Sequence, residues 1–221
     1  MGETIQLTAS DGHKFDVYKA VPSGKPRGAI LVIQEIFGVN SHMREVADGF
    51  AAEGYAVMAP ALFDRAERNF DVGYTPEDIA KGRDVRAAVA WDDSVLDMQA
   101  TADALKPFGK VGSVGYCYGG SCSWLVATRI GVAASVCYYG GQIAMFKDEK
   151  PKNPVMMHFG EQDHGIPMSD VEAIRKAHPD AQVFVYPAGH GFNCDHRADY
   201  NAECAAEARK RTLDFFAKHV G

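Results

Sequence analysis

Short, unbroken apolar runs alternate along this chain with stretches of helical periodicity. The first clear run covers residues 28–34 (GAILVIQ), and a helical pattern follows from Val39 to Glu53. Runs that are continuously apolar rather than alternating are typical of strands buried on both faces. Later runs share this character and cover residues 55–59, 110–116, 134–139, 154–159 and 181–186. The alternation predicts an α/β fold, with a mostly parallel central sheet and helices on both faces.

The chain is long enough for one such sheet, and no boundary divides it. Its 221 residues contain no internal repeat, no low-complexity segment and no linker rich in proline, glycine or serine. Hydrophobic residues make up 47% of the sequence, which is sufficient for a large buried core. We therefore expect a single α/β domain over residues 1–221. Residues 61–75 lack clear periodicity and are expected to form a surface excursion.

Charge and cysteine content restrict the classes of partner. The 23 basic and 29 acidic residues give a net charge of −6, so we expect no nucleic acid partner. The polar N-terminal segment does not resemble an export signal, and no apolar run is long enough to cross a membrane. The five cysteines form no CxxC pair, which favours reduced thiols in the cytoplasm. We expect no cofactor and no membrane partner, and a monomer or a small homo-oligomer.

A candidate nucleophile lies where one predicted strand passes into a helix. Residues 115–120 read GYCYGG, a G-x-C-x-G pattern centred on Cys117. A nucleophile on such a sharp turn has strained backbone angles, and glycine neighbours leave room for it. The turn also places the thiol at a helix N-terminus, where the helix dipole favours the thiolate. The alternative is a buried structural cysteine, and the strand–turn–helix context favours the nucleophile.

A histidine and a carboxylate follow two later strands in the order that α/β-hydrolases use. Asp163 follows the apolar run that ends at Phe159, and His190 follows the last run, between two glycines. The order Cys117, Asp163, His190 is the nucleophile–acid–histidine order of that fold. A nucleophile needs a base, and the base needs an orienting group. Three other residues on or near these loops compete for the two roles: Glu161, His164 and His196.

Four motifs in the same order resemble the dienelactone hydrolase family, the carboxymethylenebutenolidases. They are residues 34–38 (QEIFG), the GYCYGG turn, the Asp163 loop, and residues 188–192 (AGHGF) with the helix that ends in RTLDFF. The resemblance extends over nearly the whole chain. It implies an α/β-hydrolase fold and an enzyme that hydrolyses small esters or lactones through a covalent acyl-cysteine. It also implies that Cys117 is the nucleophile, His190 the base and proton shuttle, and Asp163 the orienting carboxylate.

The same resemblance assigns residues around this triad. It implies that Glu35 pairs with the resting cysteine and releases it when substrate arrives, and that the backbone amides of Ile36 and Tyr118 hold the oxyanion. Two fixed amides stabilise a developing negative oxygen without reorganising. Glu35 could instead face solvent or pair with an arginine. Phe37 and Tyr118 are expected at the wall of the substrate pocket.

One departure from the family pattern leaves the substrate open. Family members that hydrolyse dienelactones hold the substrate carboxylate with arginines, one of them four residues after the catalytic histidine, and here that position is Cys194. Arg83 or Arg86 could supply a second anion clamp, and we take Arg83 as the substrate-binding candidate. Arg197 is a further candidate without a motif. A thioesterase or general carboxylesterase with the same triad, or a noncatalytic binding protein on this fold, remain alternatives.

Two further cysteine-based interpretations are less favoured. Cys117 and Cys122 could form a redox pair, but Cys122 is expected to pack inside the fold. A group of potential metal ligands lies close together in the sequence: His190, Cys194, Asp195 and His196. Zinc sites usually show tighter pairings and a second half, so we expect no metal.

Overall fold

The computed structural model describes residues 2–221, and its central element is an eight-stranded sheet. The strand order is β1-β2-β4-β3-β5-β6-β7-β8. The strands are β1 (Glu3–Thr8), β2 (Lys14–Ala20), β3 (Ala29–Ile33), β4 (Ala56–Pro60), β5 (Val111–Tyr116), β6 (Ala134–Tyr138), β7 (Val155–Gly160) and β8 (Gln182–Tyr186). Strands β3 to β8 run parallel to one another. The predicted fold class, a mostly parallel sheet covered by helices, is confirmed.

Six α-helices surround this sheet. They are α1 (Ser41–Ala52), α2 (Pro76–Ala87), α3 (Trp91–Leu105), α4 (Tyr118–Leu125), α5 (Met168–Ala177) and α6 (Ala202–His219). Strand β3 shows how the core is divided, because its side chains alternate between two buried clusters. Ile30 belongs to the cluster that contains Phe50 of α1, and Leu31 belongs to the cluster that contains Met98 of α3. A strand buried on both faces has to be apolar at every position.

Two antiparallel strands at the N-terminus extend the sheet beyond the predicted parallel part. β1 pairs with β2, and β2 pairs with β4, both in antiparallel register. β1 is the edge strand, and its residues are exposed or half-buried, without one fully buried position. Sequence analysis did not predict these strands, because β1 is open to solvent and β2 buries only some of its positions, so neither has the continuous apolar run by which the inner strands were recognised.

The first parallel strand and helix show the local signals expected of them. Asn40 caps α1 by accepting a hydrogen bond from the Met43 amide at 3.2 Å. Gly54 follows the helix with a φ of 94°, a conformation that glycine adopts at little cost. None of the helices within residues 2–221 combines the length and the apolar character that a membrane crossing requires.

The parallel strands point their carboxyl ends toward one edge of the sheet. Glu35 follows β3, Cys117 follows β5, Asp163 follows β7 and His190 follows β8. In sheets of this kind ligands bind beyond the carboxyl ends of the strands. The fold therefore brings candidate residues that are distant in sequence to the same edge.

Candidate active site

Cys117 occupies a strained turn between β5 and α4. Its φ of 55° and ψ of −116° lie outside the regions that an L-residue prefers. A Cβ at Gly115 would overlap the carbonyl of Gly119, and a Cβ at Gly119 would overlap the carbonyl of Ile33. Glycine is therefore required at both flanking positions because strand and helix meet without space for side chains. The turn leaves the Cys117 side chain partly exposed at the N-terminus of α4.

Sulfur, imidazole and carboxylate form one continuous chain of contacts. His190 Nε2 lies 3.1 Å from Cys117 Sγ, and His190 Nδ1 lies 2.7 Å from Asp163 Oδ2. The other carboxylate oxygen of Asp163 accepts the Gly165 amide at 2.8 Å, which fixes the carboxylate plane. The Asp163 side chain is fully buried, whereas that of His190 is 28% exposed at the mouth of a cavity. The structure thus brings together the three residues that the sequence places on three separate loops.

None of the competing residues hydrogen-bonds to Cys117 or His190 within residues 2–221, although His164 lines the cavity. Glu161 and His164 are exposed, and His196 Nε2 lies 3.0 Å from the carboxylate of Glu45. Backbone hydrogen bonds join the two loops, because the Gln162 amide donates to the Ala188 carbonyl at 3.1 Å. This link holds the loop after β7 against the loop after β8 and leaves Asp163 as the carboxylate beside His190.

The pKa of His190 is strongly affected by its two neighbours. Burial alone lowers the pKa of an imidazole, but the negative charge of Cys117 and the hydrogen bond to Asp163 outweigh burial and raise the pKa of His190 to about 10. The raised pKa favours an imidazolium at His190, which can pair with the Cys117 sulfur when that sulfur is a thiolate. Such an ion pair supplies a nucleophile and a proton donor at once.

Ile36 and Tyr118 lie beside the cavity that Cys117 faces. Both line the cavity together with Cys117. Tyr118 is the first residue of α4, so its amide has no intrahelical partner. The Tyr118 hydroxyl lies 2.6 Å from the Ser94 hydroxyl, which anchors the side chain behind the turn. This position suits the oxyanion role that the resemblance implies for the two amides.

The cavity next to the thiol has a volume of about 930 Å³. Phe37 and Arg83, the two substrate-binding candidates, both line it. Within the described residues, none of the 61–75 segment lines the cavity, so that excursion does not cover the site. It contains a short 3₁₀ turn, Leu62–Arg65, and a bridge from Asp71 to Gly38.

Glu35 does not pair with Cys117 in this structure. Its side chain is fully buried, and neither carboxylate oxygen has a hydrogen-bond partner within residues 2–221. Its nearest charged neighbour is Arg197, whose guanidinium lies 3.8 Å from Glu35 Oε1. Of the interpretations considered for Glu35, the pairing with an arginine is the one that this structure contains.

The cavity contains three arginines in different situations. Arg86 is anchored, because its guanidinium stacks 3.9 Å from the centre of the Trp91 ring and donates to the Val89 carbonyl at 3.0 Å. Arg83 is exposed at the rim and makes no ion pair within the described part of the chain. Arg197 is largely buried in the inner wall of the cavity, where its guanidinium lies over the Phe37 ring. The guanidinium missing at position 194 thus has a counterpart three residues later.

Sequence reasoning missed Tyr139, the residue that supports the imidazole. Its ring centre lies 5.1 Å from that of His190, and its φ is 37°. A tyrosine at the end of an apolar run looks like a core residue, and the only available signal was its place at the carboxyl end of β6. Trp91, the ring on which Arg86 stacks in the cavity wall, was also missed, because no motif marks the first residue of α3 as a cavity residue.

The mostly parallel eight-stranded sheet, with the cysteine turn at its carboxyl edge, defines an α/β-hydrolase. The sequence matches the family model for the dienelactone hydrolase family over residues 15–220. The chain belongs to the dienelactone hydrolase family and is a hydrolase of ester or lactone bonds, which confirms the resemblance seen in the sequence.

Relatives and solved structures agree with this assignment. A carboxymethylenebutenolidase of Pseudomonas putida is 35% identical, with 97% of this chain and 96% of the relative covered. A putative carboxymethylenebutenolidase of Synechocystis sp. is 39% identical over 85% of this chain and 84% of the relative. The crystal structure of a putative dienelactone hydrolase from Klebsiella pneumoniae is 28% identical, with a TM-score of 0.85, 99% of this chain and 100% of that chain covered.

Proposed function

We propose that this hydrolase acts through a Cys117–His190–Asp163 triad and a covalent acyl-cysteine. The observation that carries the proposal is the contact chain from Sγ to Nε2 and from Nδ1 to Oδ2, at 3.1 Å and 2.7 Å, at the mouth of a large cavity. A nucleophile, a base and an orienting carboxylate within hydrogen-bond reach are the signature of acyl transfer.

In the first half-reaction the Cys117 thiolate attacks the carbonyl carbon and forms an S–C bond. The amides of Ile36 and Tyr118 hold the resulting oxyanion, which they can do without reorganising. As the C–O bond breaks, the His190 imidazolium gives its proton to the leaving alkoxide. The products of this step are an alcohol, or the tethered hydroxyl of an opened lactone, and an acyl-cysteine.

The second half-reaction needs a neutral imidazole, and acylation itself supplies one. The charge of Cys117 is the largest of the influences that raise the pKa of His190, and it disappears when the thiolate becomes a thioester. Neutral His190 then accepts a proton from water, whose oxygen attacks the thioester carbonyl. Collapse breaks the S–C bond, releases the carboxylic acid and restores the thiolate–imidazolium pair. Asp163 keeps the imidazole oriented in both halves.

The arginines of the cavity favour a substrate that carries a negative charge. The chain as a whole has a net charge of −6, yet this cavity is lined by Arg83, Arg86 and Arg197. The Arg86 guanidinium already stacks on the Trp91 ring. Arg83 at the rim and Arg197 at the inner wall are therefore the two guanidinium groups that can bind a substrate carboxylate. The Glu35 carboxylate, 3.8 Å from Arg197, offsets part of the charge of that guanidinium when no substrate is bound.

The substrate assignment is tested by comparing an anionic lactone with a neutral ester. Arg83→Gln should raise KM for the anionic lactone by about 10–100-fold, because a charge-assisted hydrogen bond contributes about 1.5–3 kcal/mol. It should leave the neutral ester unaffected. Lys81→Gln is the matched control: Lys81 is exposed on the same helix, pairs with Glu67 and does not line the cavity.

Equal losses on both substrates, or a wild-type preference for neutral esters, would contradict the anionic assignment. The second result would favour the alternative of a general carboxylesterase or thioesterase. A Cys117 thiol that fails to react with a mild alkylating agent near neutral pH would revive the noncatalytic alternative.

The raised pKa of His190 leads to a prediction for the alkaline side of the pH profile. With alkyl esters, kcat/KM should fall as the pH rises through about 10, because the imidazolium then loses the proton that the alkoxide needs. Phenyl esters with strongly acidic leaving groups need no such proton and serve as the control, for which this fall should be absent. A fall centred near the ordinary histidine pKa of about 6.5 with alkyl esters would contradict the ion pair.

A further inference from the structure

Behind the inner wall of the cavity lies a second group of ligand-type side chains. Glu35, His42 and Cys194 are each at least 97% buried. One carboxylate oxygen, one imidazole nitrogen and the Cys194 sulfur lie within 4.8 Å of one another. None of the three lines the cavity. Sequence spacing could not reveal this group, because Cys194 is about 150 residues from the other two.

The polar atoms of this group lack the partners that buried polar atoms normally have. Glu35 Oε1 and Oε2 and His42 Nε2 have no hydrogen-bond partner within residues 2–221. An unsatisfied buried polar atom costs about 1–3 kcal/mol, and more when it is charged. Three such atoms at one place indicate that something outside the polypeptide completes the site.

The orientation of His42 indicates what kind of group completes it. His42 Nδ1 lies 3.2 Å from Asp195 Oδ1, and in the neutral tautomer whose Nδ1–H faces this carboxylate, Nε2 has a free lone pair. Lone pairs on the imidazole nitrogen and the carboxylate oxygens then face one another next to the Cys194 sulfur, which lies beside the Tyr74 hydroxyl and the His196 amide. The guanidinium of Arg197, at 3.8 Å from Glu35 Oε1, reduces this repulsion without forming a hydrogen bond.

We propose that Glu35, His42 and Cys194 form a binding site for one zinc-like divalent cation. Zinc takes sulfur, imidazole nitrogen and carboxylate oxygen, and three protein ligands plus one water are a common set. In a tetrahedral zinc site nitrogen and sulfur lie about 3.5 Å apart. The three ligand atoms here lie within 4.8 Å of one another, so shifts of about 1 Å are sufficient to bring them to zinc-binding distances. Asp195 has the role of the outer carboxylate that orients a metal-binding histidine.

A surface alternative shares His42 and has to be separated from this site. Ligand atoms of His42, Glu45, Asp195 and His196 also lie within 4.8 Å of one another, but three of these residues are exposed. His196 already bonds to Glu45 at 3.0 Å, and the exposed groups are solvated. The internal group is favoured because its atoms are buried and unpartnered.

Cobalt(II) titration tests the proposal without substrate, so its outcome is independent of the hydrolytic mechanism. The full-length protein is used in its wild-type form and as Cys117→Ala, which removes the thiol of the proposed triad. Both should bind about one cobalt ion per chain with a thiolate charge-transfer band and the intense visible bands of a tetrahedral site. Cys194→Ser should lose the charge-transfer band. Asp195→Asn should weaken zinc affinity by about 10–100-fold.

His196→Ala is the matched control and should keep the wild-type cobalt spectrum, because it removes a ligand of the surface group only. The proposal is overturned if wild-type protein shows no charge-transfer band, if Cys194→Ser keeps the band, or if His196→Ala loses it. Should Cys194→Ser fail to fold, the band in wild-type and Cys117→Ala protein decides the question. Zinc should also raise the Tm of the wild type by binding the native state.

Discussion

Replacing Cys117 by alanine is expected to lower kcat/KM for ester hydrolysis by about 10⁴-fold or more. The reason is that none of the other described cysteines lines the cavity, and the substitution removes the atom that forms the acyl bond. The substitution adds no backbone strain at the turn, because alanine and cysteine both have a Cβ. Initial rates with a neutral aryl ester measure the loss, and Tm checks that the fold is kept.

Cys204→Ala is the control for this variant, because Cys204 is a buried cysteine on α6 and does not line the cavity. It should keep wild-type rates. If Cys117→Ala keeps substantial activity, Cys117 is not the nucleophile, regardless of the result with Cys204→Ala. Loss of activity together with a large drop in Tm would instead point to a structural role for Cys117.

Asp163→Asn should lower kcat by up to about 10⁴-fold with little change in fold. The carboxylate at 2.7 Å accepts the Nδ1 proton of His190 and so presents Nε2 to the thiol. An asparagine amide can donate to Nδ1 and stabilise the wrong tautomer. Because Asp163 also raises the pKa of His190, the alkaline fall in activity should move to lower pH in this variant.

Glu161→Gln is matched to Asp163→Asn, since it neutralises an exposed carboxylate on the same loop. We expect rates within about twofold of the wild type, as for surface substitutions generally. A loss with Glu161→Gln equal to that with Asp163→Asn would mean that loop charge, rather than imidazole orientation, sets the rate. That result would contradict the role assigned to Asp163.

The inner part of the fold was predictable because its signal is local. β3 is apolar at every position, since its side chains reach both core clusters, and this leaves a continuous run in the sequence. The turn at Cys117 was predictable for a similar reason, because the close approach of β5 and α4 excludes all side chains but glycine. The family resemblance and the fold class are confirmed, and the roles of the triad residues stay predictions.

What could not be predicted depends on contacts between distant segments. β1 has no fully buried position, and β2 buries only Phe15, Val17 and Ala20, so neither strand has the continuous apolar run of the inner strands. Arg197 enters the cavity wall only because the segment after His190 folds back against Glu35. Spacing along the chain shows whether an arginine belongs to a motif, but it does not show where in the fold the guanidinium lies.

The measurement that tests the central claim most directly is acid quenching during the first turnover of an ester, followed by intact mass and peptide mapping. The account predicts one acyl group per chain, held as a thioester on the peptide that contains Cys117. Ester cleavage in the first turnover without an acylated residue, or an acyl group on any other side chain, would contradict it.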